Sequence, residues 1–83
     1  MNESEARDLI LGVIRRIAPE ADLAMLEPDV ELREQLDIDS MDFLNVIIGI
    51  HEATGIDIPE PDYEQFETLE SASNYLAKAS VGS

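Results

Sequence analysis

Ser40 lies in an acidic segment, between Asp39 and Asp42, directly before a run of apolar residues. An aspartate and a serine in this position are typical of a helix N-terminus, with Asp39 as the N-cap and Ser40 in the first turn. The serine hydroxyl would then be exposed beside free backbone N–H groups and the positive end of the helix dipole, which together favour a phosphate ester. Ser40 is therefore a candidate for phosphate chemistry, although the same residue pattern also caps helices that have no such function.

Neither catalysis nor metal binding is predicted at this serine. The only histidine, His51, lies eleven positions along the same predicted helix, roughly 16 Å of helix rise away, so a serine–histidine pair cannot form. Asp37, Asp39 and Asp42 resemble the start of a calcium loop, but the glycine and the final carboxylate of such a loop are absent. We expect no catalytic residue and no metal ligand.

Length and charge limit the classes of function. Residues 1–83 are expected to form a single small domain, with a flexible tail at about 80–83. Five basic and nineteen acidic residues give a formal charge of −14, which repels nucleic acids, anionic membranes and other copies of the chain. No segment is long enough to span a membrane, and the acidic start is unlike a secretory signal. We expect a cytoplasmic monomer that binds basic partners.

The spacing of apolar residues predicts an all-α domain of three main helices and one short helix. The main helices are predicted from Glu3 to Ala18, from Asp39 or Ser40 to about Thr54, and from Thr68 onward. The short helix is predicted from Pro61 to Phe66. The stretch from Glu20 to Asp37 lacks sustained periodicity and is expected to form a long loop with short helical turns.

The second predicted helix is apolar on two sides when residues are projected at roughly 100° each. The side expected to face the core carries Phe43, Val46, Ile47 and Ile50. On or near the opposite side lie Met41, Leu44 and Ile48, and the flanking acids are Asp42 and Glu52. A helix with two apolar faces is either buried all round or docks a partner. We favour docking, because so few helices cannot easily enclose this one.

The order of these features resembles the acyl carrier protein family. The resemblance rests on residues 36–42 (Leu-Asp-Ile-Asp-Ser-Met-Asp), the apolar helix, Ile58-Pro59, an acidic short segment and Thr68-Leu69, and it covers nearly the whole chain. It implies a four-helix bundle without enzyme activity. Ser40, with Asp39 beside it, would carry 4′-phosphopantetheine, which a phosphopantetheinyl transferase installs from coenzyme A. The thiol of this arm would hold acyl groups as thioesters.

The resemblance also implies roles for both sides of the second helix. The docking surface for acyl-activating, ketosynthase or acyltransferase enzymes with basic patches would be Met41, Asp42, Leu44, Ile48 and Glu52. The acyl pocket would be lined by Phe43, Val46, Ile47 and Ile50. Departures from the family at Asn45, Gly49 and His51 indicate a specialised carrier, in fatty-acid, polyketide or related biosynthesis. An aminoacyl or peptidyl carrier remains an alternative, as does an acidic interaction module without a prosthetic group.

Overall fold

The computed structural model describes residues 1–80. The flexible tail that we predict at about 80–83 lies outside this range except for Ser80, which ends the last helix. Residues 1–80 form four α-helices and two 3₁₀ helices. The α-helices are α1 (Glu3–Ile17), α2 (Leu32–Leu36), α3 (Ser40–Thr54) and α4 (Leu69–Ser80), and the 3₁₀ helices are Leu23–Met25 and Glu60–Phe66.

The all-α prediction is confirmed. Residues 1–80 contain no β-strand, and a single isolated bridge joins Glu31 to Thr68. The short helix predicted from Pro61 to Phe66 is a 3₁₀ helix that begins at Glu60. The predicted long loop contains short helical turns, as expected: the 3₁₀ helix Leu23–Met25 and α2, which forms around the buried Leu32.

Helix α1 is the central element of the bundle and packs extensively against α3 and α4. Its N-terminus is closed by a capping box, in which the Asn2 side chain accepts from the Glu5 N–H at 2.8 Å and the Glu5 carboxylate accepts from the Asn2 N–H at 3.0 Å. Its inner face carries four residues of the core: Ala6, Ile10, Val13 and Ile14. The face of α1 that is apolar in the sequence is thus the face that is buried in the structure.

A glycine lets α3 approach α1 closely. A Cβ atom added to Gly49 would lie 2.7 Å from Cγ1 of Val13, which is closer than any ordinary carbon–carbon contact. Val13 is itself in the core, with 3% of its surface exposed. Any larger residue at position 49 would therefore force α1 and α3 apart or displace Val13.

The segment between α3 and α4 is attached to α4. The Tyr75 hydroxyl donates a hydrogen bond to Asp62 at 2.7 Å, and the Tyr75 ring meets the buried Phe66 ring edge-on at a centroid distance of 5.1 Å. These contacts hold the second 3₁₀ helix against the last helix. No helix within residues 1–80 combines the length and the apolar character needed to cross a bilayer.

Candidate functional site

The start of α3 is set by a tight turn after α2. Asp37 adopts a left-handed conformation, with φ 53° and ψ 46°, which aspartate tolerates better than most residues. The N–H groups of Asp37 and Ile38 both donate to the carbonyl of Arg33, which closes the C-terminus of α2. The chain is then extended at Asp39, and α3 begins at Ser40.

Asp39 is the N-cap of α3, as its position in the sequence predicts. Its carboxylate accepts from the Asp42 N–H at 2.9 Å, and its carbonyl accepts from the Phe43 N–H at 3.0 Å. The N–H groups of Ser40 and Met41 make no hydrogen bond to any residue in the range 1–80. They leave two unpaired N–H donors at the positive end of the helix dipole.

The Ser40 side chain is exposed and free. Its hydroxyl makes no hydrogen bond to any other described residue, so nothing in this part of the protein competes for it. His51 lies in the last turn of the same helix, where it cannot activate the serine. An exposed hydroxyl beside unpaired N–H groups fits a covalent phosphate ester, and it lacks the base that a nucleophilic serine requires.

An apolar stripe runs along the outer side of α3 from the turn that contains Ser40. We name it the outer stripe and define it by Met41, Leu44 and Ile48. The exposed fractions of these side chains are 68%, 36% and 43%, and they supply three of the five exposed large hydrophobic side chains of residues 1–80. Asp42 is half-buried and Glu52 is exposed. The sequence-based expectation of an outward apolar face is therefore met.

The inner side of α3 differs along its length. Val46, Ile47 and Ile50 are buried in the core, whereas Phe43 is only half-buried. The guanidinium carbon of Arg33 lies 5.9 Å from the centre of the Phe43 ring, within the range of a cation–π interaction. Of the four pocket residues predicted from the sequence, three are therefore buried and one, Phe43, is partly accessible to solvent.

A groove of about 430 Å³ lies between α3 and the segment that follows it. The α3 side is formed by Ile47, Ile48 and His51, and the facing wall by Asp57, Ile58, Pro59 and Tyr63. Among the predicted pocket residues, only Ile47 lines this groove. Its facing wall was missed in the sequence, because residues 57–63 show no periodicity that would assign them a face.

His51 closes one end of the groove. Its Nδ1 atom lies 2.8 Å from the carbonyl oxygen of Ile56 and 3.9 Å from the carboxylate of Asp57. The side chain is about half exposed. His51 is therefore a rim residue that connects the end of α3 to the following segment. Within the described range, no three His, Cys, Asp or Glu side chains are grouped so that they could hold a metal ion.

Comparison with known proteins assigns the chain to a family. The family model of the phosphopantetheine attachment site matches residues 8–76. The acyl carrier protein of Rubrobacter xylanophilus is 32% identical over 75 residues, which cover 87% of this chain and 93% of the relative. The chain belongs to the acyl carrier protein family. Its members are non-catalytic carriers, and the match indicates a covalently attached 4′-phosphopantetheine arm.

Two further relatives extend the comparison. The acyl carrier protein of Renibacterium salmoninarum is 32% identical over 63 residues, or 76% of this chain and 73% of the relative. Acyl carrier protein 2 of Arabidopsis thaliana mitochondria is 23% identical over 77 residues, which cover 93% of this chain but 60% of that protein. The resemblance inferred from the sequence is confirmed at the level of the family. A carrier of this family interacts with biosynthetic enzymes and with a phosphopantetheinyl transferase.

Proposed function

We propose that Ser40 is the attachment residue of the arm, and that the protein carries acyl groups as thioesters in fatty-acid, polyketide or related biosynthesis. The observation that carries this proposal is the free, exposed Ser40 hydroxyl at the capped start of α3, inside the region that matches the family. The arm supplies the thiol that holds the cargo. The protein supplies the anchoring oxygen, the unpaired N–H groups of the first turn and the surface that partner enzymes recognise.

Other serines of the described range fit this role less well. Ser73 is buried, and the Ser71 hydroxyl donates to the carbonyl of Gln65 at 2.6 Å. Ser4 is exposed in the first turn of α1, so, like Ser40, it lies at the start of a capped helix. It lies outside residues 8–76, however, and has no outer stripe beside it. Ser4 therefore provides a matched control for the attachment experiment.

The experiment is enzymatic loading followed by intact-protein mass spectrometry. The wild-type chain is incubated with coenzyme A, Mg²⁺ and a permissive phosphopantetheinyl transferase. We expect a gain of one phosphopantetheinyl mass in the wild type and in Ser4→Ala, and no gain in Ser40→Ala. Loading of Ser40→Ala, or failure of the wild type with several transferases, would overturn the assignment.

Partner enzymes are proposed to dock on the outer stripe. Asp42 and Glu52 lie beside its three exposed apolar side chains on α3, and an apolar centre with a charged rim is the usual anatomy of a transient interface. Basic patches on the transferase and on acyl-activating, ketosynthase or acyltransferase enzymes would complement that rim. The net charge of −14 favours this encounter and opposes self-association, so we propose a cytoplasmic monomer.

The cargo is proposed to find shelter on the inner side of α3. Phe43, Val46, Ile47 and Ile50 would line the shelter when the core parts, and Ile47 also reaches the groove beside His51. An acyl chain is favoured over an aminoacyl group, because aminoacyl carriers are commonly less acidic than this chain. Intact mass spectrometry of the loaded protein from its native cells distinguishes the two cargoes.

A further inference from the structure

Negative charge is concentrated around Ser40, in the segment of residues 37–42 that we name the attachment turn. Asp37, Asp39 and Asp42 all lie within three residues of Ser40. A phosphodiester on Ser40 would bring one more negative charge among these carboxylates, and like charges at this spacing repel. The unpaired N–H groups at the start of α3 offset this repulsion only partly, because they amount to about half an elementary charge. A positively charged side chain beside Ser40 would therefore stabilise the protein that carries the arm.

Arg33 is the only lysine or arginine between residues 17 and 77. No carboxylate of residues 1–80 lies within ion-pair distance of its guanidinium. The other arginines of this range also lack such a partner, but all of them lie in α1, whereas Arg33 stands alone in the acidic part of the chain. The N–H donors of its guanidinium are therefore available to an anionic group that is added to the protein.

The structure holds Arg33 close to the attachment turn by two independent contacts. Its carbonyl accepts the N–H groups of Asp37 and Ile38, which lead directly into the N-cap of α3. Its guanidinium lies over the Phe43 ring at 5.9 Å. Phe43 is three residues after Ser40, so the two side chains are neighbours on the helix surface, with Cβ atoms roughly 5–6 Å apart.

A guanidinium over an aromatic ring keeps the N–H donors at its edge free. Arginine has five such donors in a planar fork that matches the oxygens of a phosphate. The Phe43 ring restricts the guanidinium to the neighbourhood of the attachment turn without using those donors. Arg33 is thus oriented in advance for an anion beside Ser40.

We infer that Arg33 binds the phosphodiester of the arm, acting as a positioning residue beside the attachment serine. This inference rests on the proposed attachment at Ser40. At roughly 100° per residue, Phe43 and Met41 lie on opposite flanks of Ser40 on the helix surface. A phosphodiester held by Arg33 is drawn toward the Phe43 flank, which leaves the outer stripe open to partner enzymes while the arm is attached.

The test compares apo and holo forms in a thermodynamic cycle. Urea unfolding is measured at low salt for the wild type, Arg33→Gln and Arg15→Gln, each before and after loading with coenzyme A and transferase. Arg15 is the matched control, because it is an exposed arginine in the last turn of α1 and belongs to neither α2 nor α3. Loss of packing on Phe43 affects apo and holo forms alike and cancels in the cycle.

We expect loading to stabilise the wild type relative to Arg33→Gln. The unfolding equilibrium constant of the apo form, divided by that of the holo form, should be about twofold to fivefold smaller in Arg33→Gln than in the wild type, which is the range for an exposed ion pair. In Arg15→Gln this ratio should equal the wild-type value. Arg33→Lys should recover part of the effect, because it keeps the charge without the fork. About 0.5 M NaCl should suppress the difference.

The ³¹P resonance of the holo protein supplies a second readout. It should move when Arg33 is replaced and stay in place when Arg15 is replaced. Equal effects of Arg33→Gln on apo and holo forms, with an unmoved ³¹P resonance, would overturn the inference and leave the attachment at Ser40 intact. Failure of the wild type to load at all would instead overturn the attachment and the inference together.

Discussion

The contact between Gly49 and Val13 makes a quantitative prediction for Gly49→Ala. The added Cβ would stand 2.7 Å from Val13 Cγ1, about 1 Å inside the ordinary separation of carbon atoms. Val13 is β-branched and buried, so it cannot rotate away freely. Overpacking of this kind costs about 1–3 kcal/mol, whereas alanine gains about 1 kcal/mol over glycine inside a helix. We expect a net loss of about 1 kcal/mol in the free energy of unfolding.

Circular dichroism of the apo protein during thermal and urea unfolding measures this loss. A decrease of 1 kcal/mol should lower the Tm by about 4–8 °C in a domain of this size. Gly12→Ala is the matched control, because Gly12 lies within α1 and a Cβ there would meet no atom within 4 Å. That variant should gain up to about 1 kcal/mol.

Removal of the obstructing methyl group tests the cause of the loss. In a Val13→Ala background, Gly49→Ala should become neutral or stabilising, because Cγ1 is no longer present and only the gain in helix propensity remains. If Gly49→Ala stabilises the wild-type chain as much as Gly12→Ala does, the close approach of α1 and α3 is not limiting. The reasoning from the 2.7 Å contact would then be wrong.

Two further predictions concern the outer stripe and the contact between the second 3₁₀ helix and α4. Ile48→Glu should lower the kcat/KM of loading by the transferase about tenfold without unfolding the chain. Met25→Glu, at a residue of the first 3₁₀ helix that is 74% exposed and does not belong to the stripe, should leave kcat/KM unchanged. Marked unfolding of Ile48→Glu would contradict its exposed position. Burial and the hydrogen bond to Asp62 raise the pKa of Tyr75 from 10.0 to about 12, so the stabilising contribution of the neutral phenol is complete below pH 10 and is lost as the pH rises toward 12. Between pH 10 and pH 12 the unfolding free energy of the wild type should therefore decrease more steeply than that of Tyr75→Phe. If the two proteins lose stability in parallel, the neutral Tyr75 phenol does not contribute to stability as we infer.

The sequence predicted the start of α3 because the signals there are local. Asp39 caps the helix through the N–H of Asp42, only three residues away, and the exposure of Met41 and Ile48 follows from helical periodicity. Helix α2 was not separated from its loop, because five residues are too few to establish a period. Its formation depends on tertiary burial of Leu32.

The features that the sequence could not predict join residues far apart in the chain. The sequence shows that Gly49 is a glycine inside a helix, but the reason that a glycine is needed there is the contact with Val13 on another helix. The position of Arg33 over Phe43 depends on the turn between α2 and α3. Residues 57–63 form a wall of the groove in a structure whose second 3₁₀ helix is bonded to α4. No single-helix pattern contains this information.

The two sides of α3 are attached to the rest of the protein in different ways. On one side Gly49 lies directly against Val13 of α1. On the other side, hydrogen bonds between α3 and the following segment come, among the described residues, from His51 and Thr54 near its C-terminus. That segment is instead fixed to α4 through the hydroxyl and ring of Tyr75. A cargo that enters the groove should therefore separate α3 from residues 57–63 rather than from α1, because only the former boundary lacks close packing along the helix. Because Ser40 and the outer stripe belong to the same helix, such an opening would leave their relative positions unchanged, and a partner enzyme would meet the same surface whether or not the cargo is sheltered.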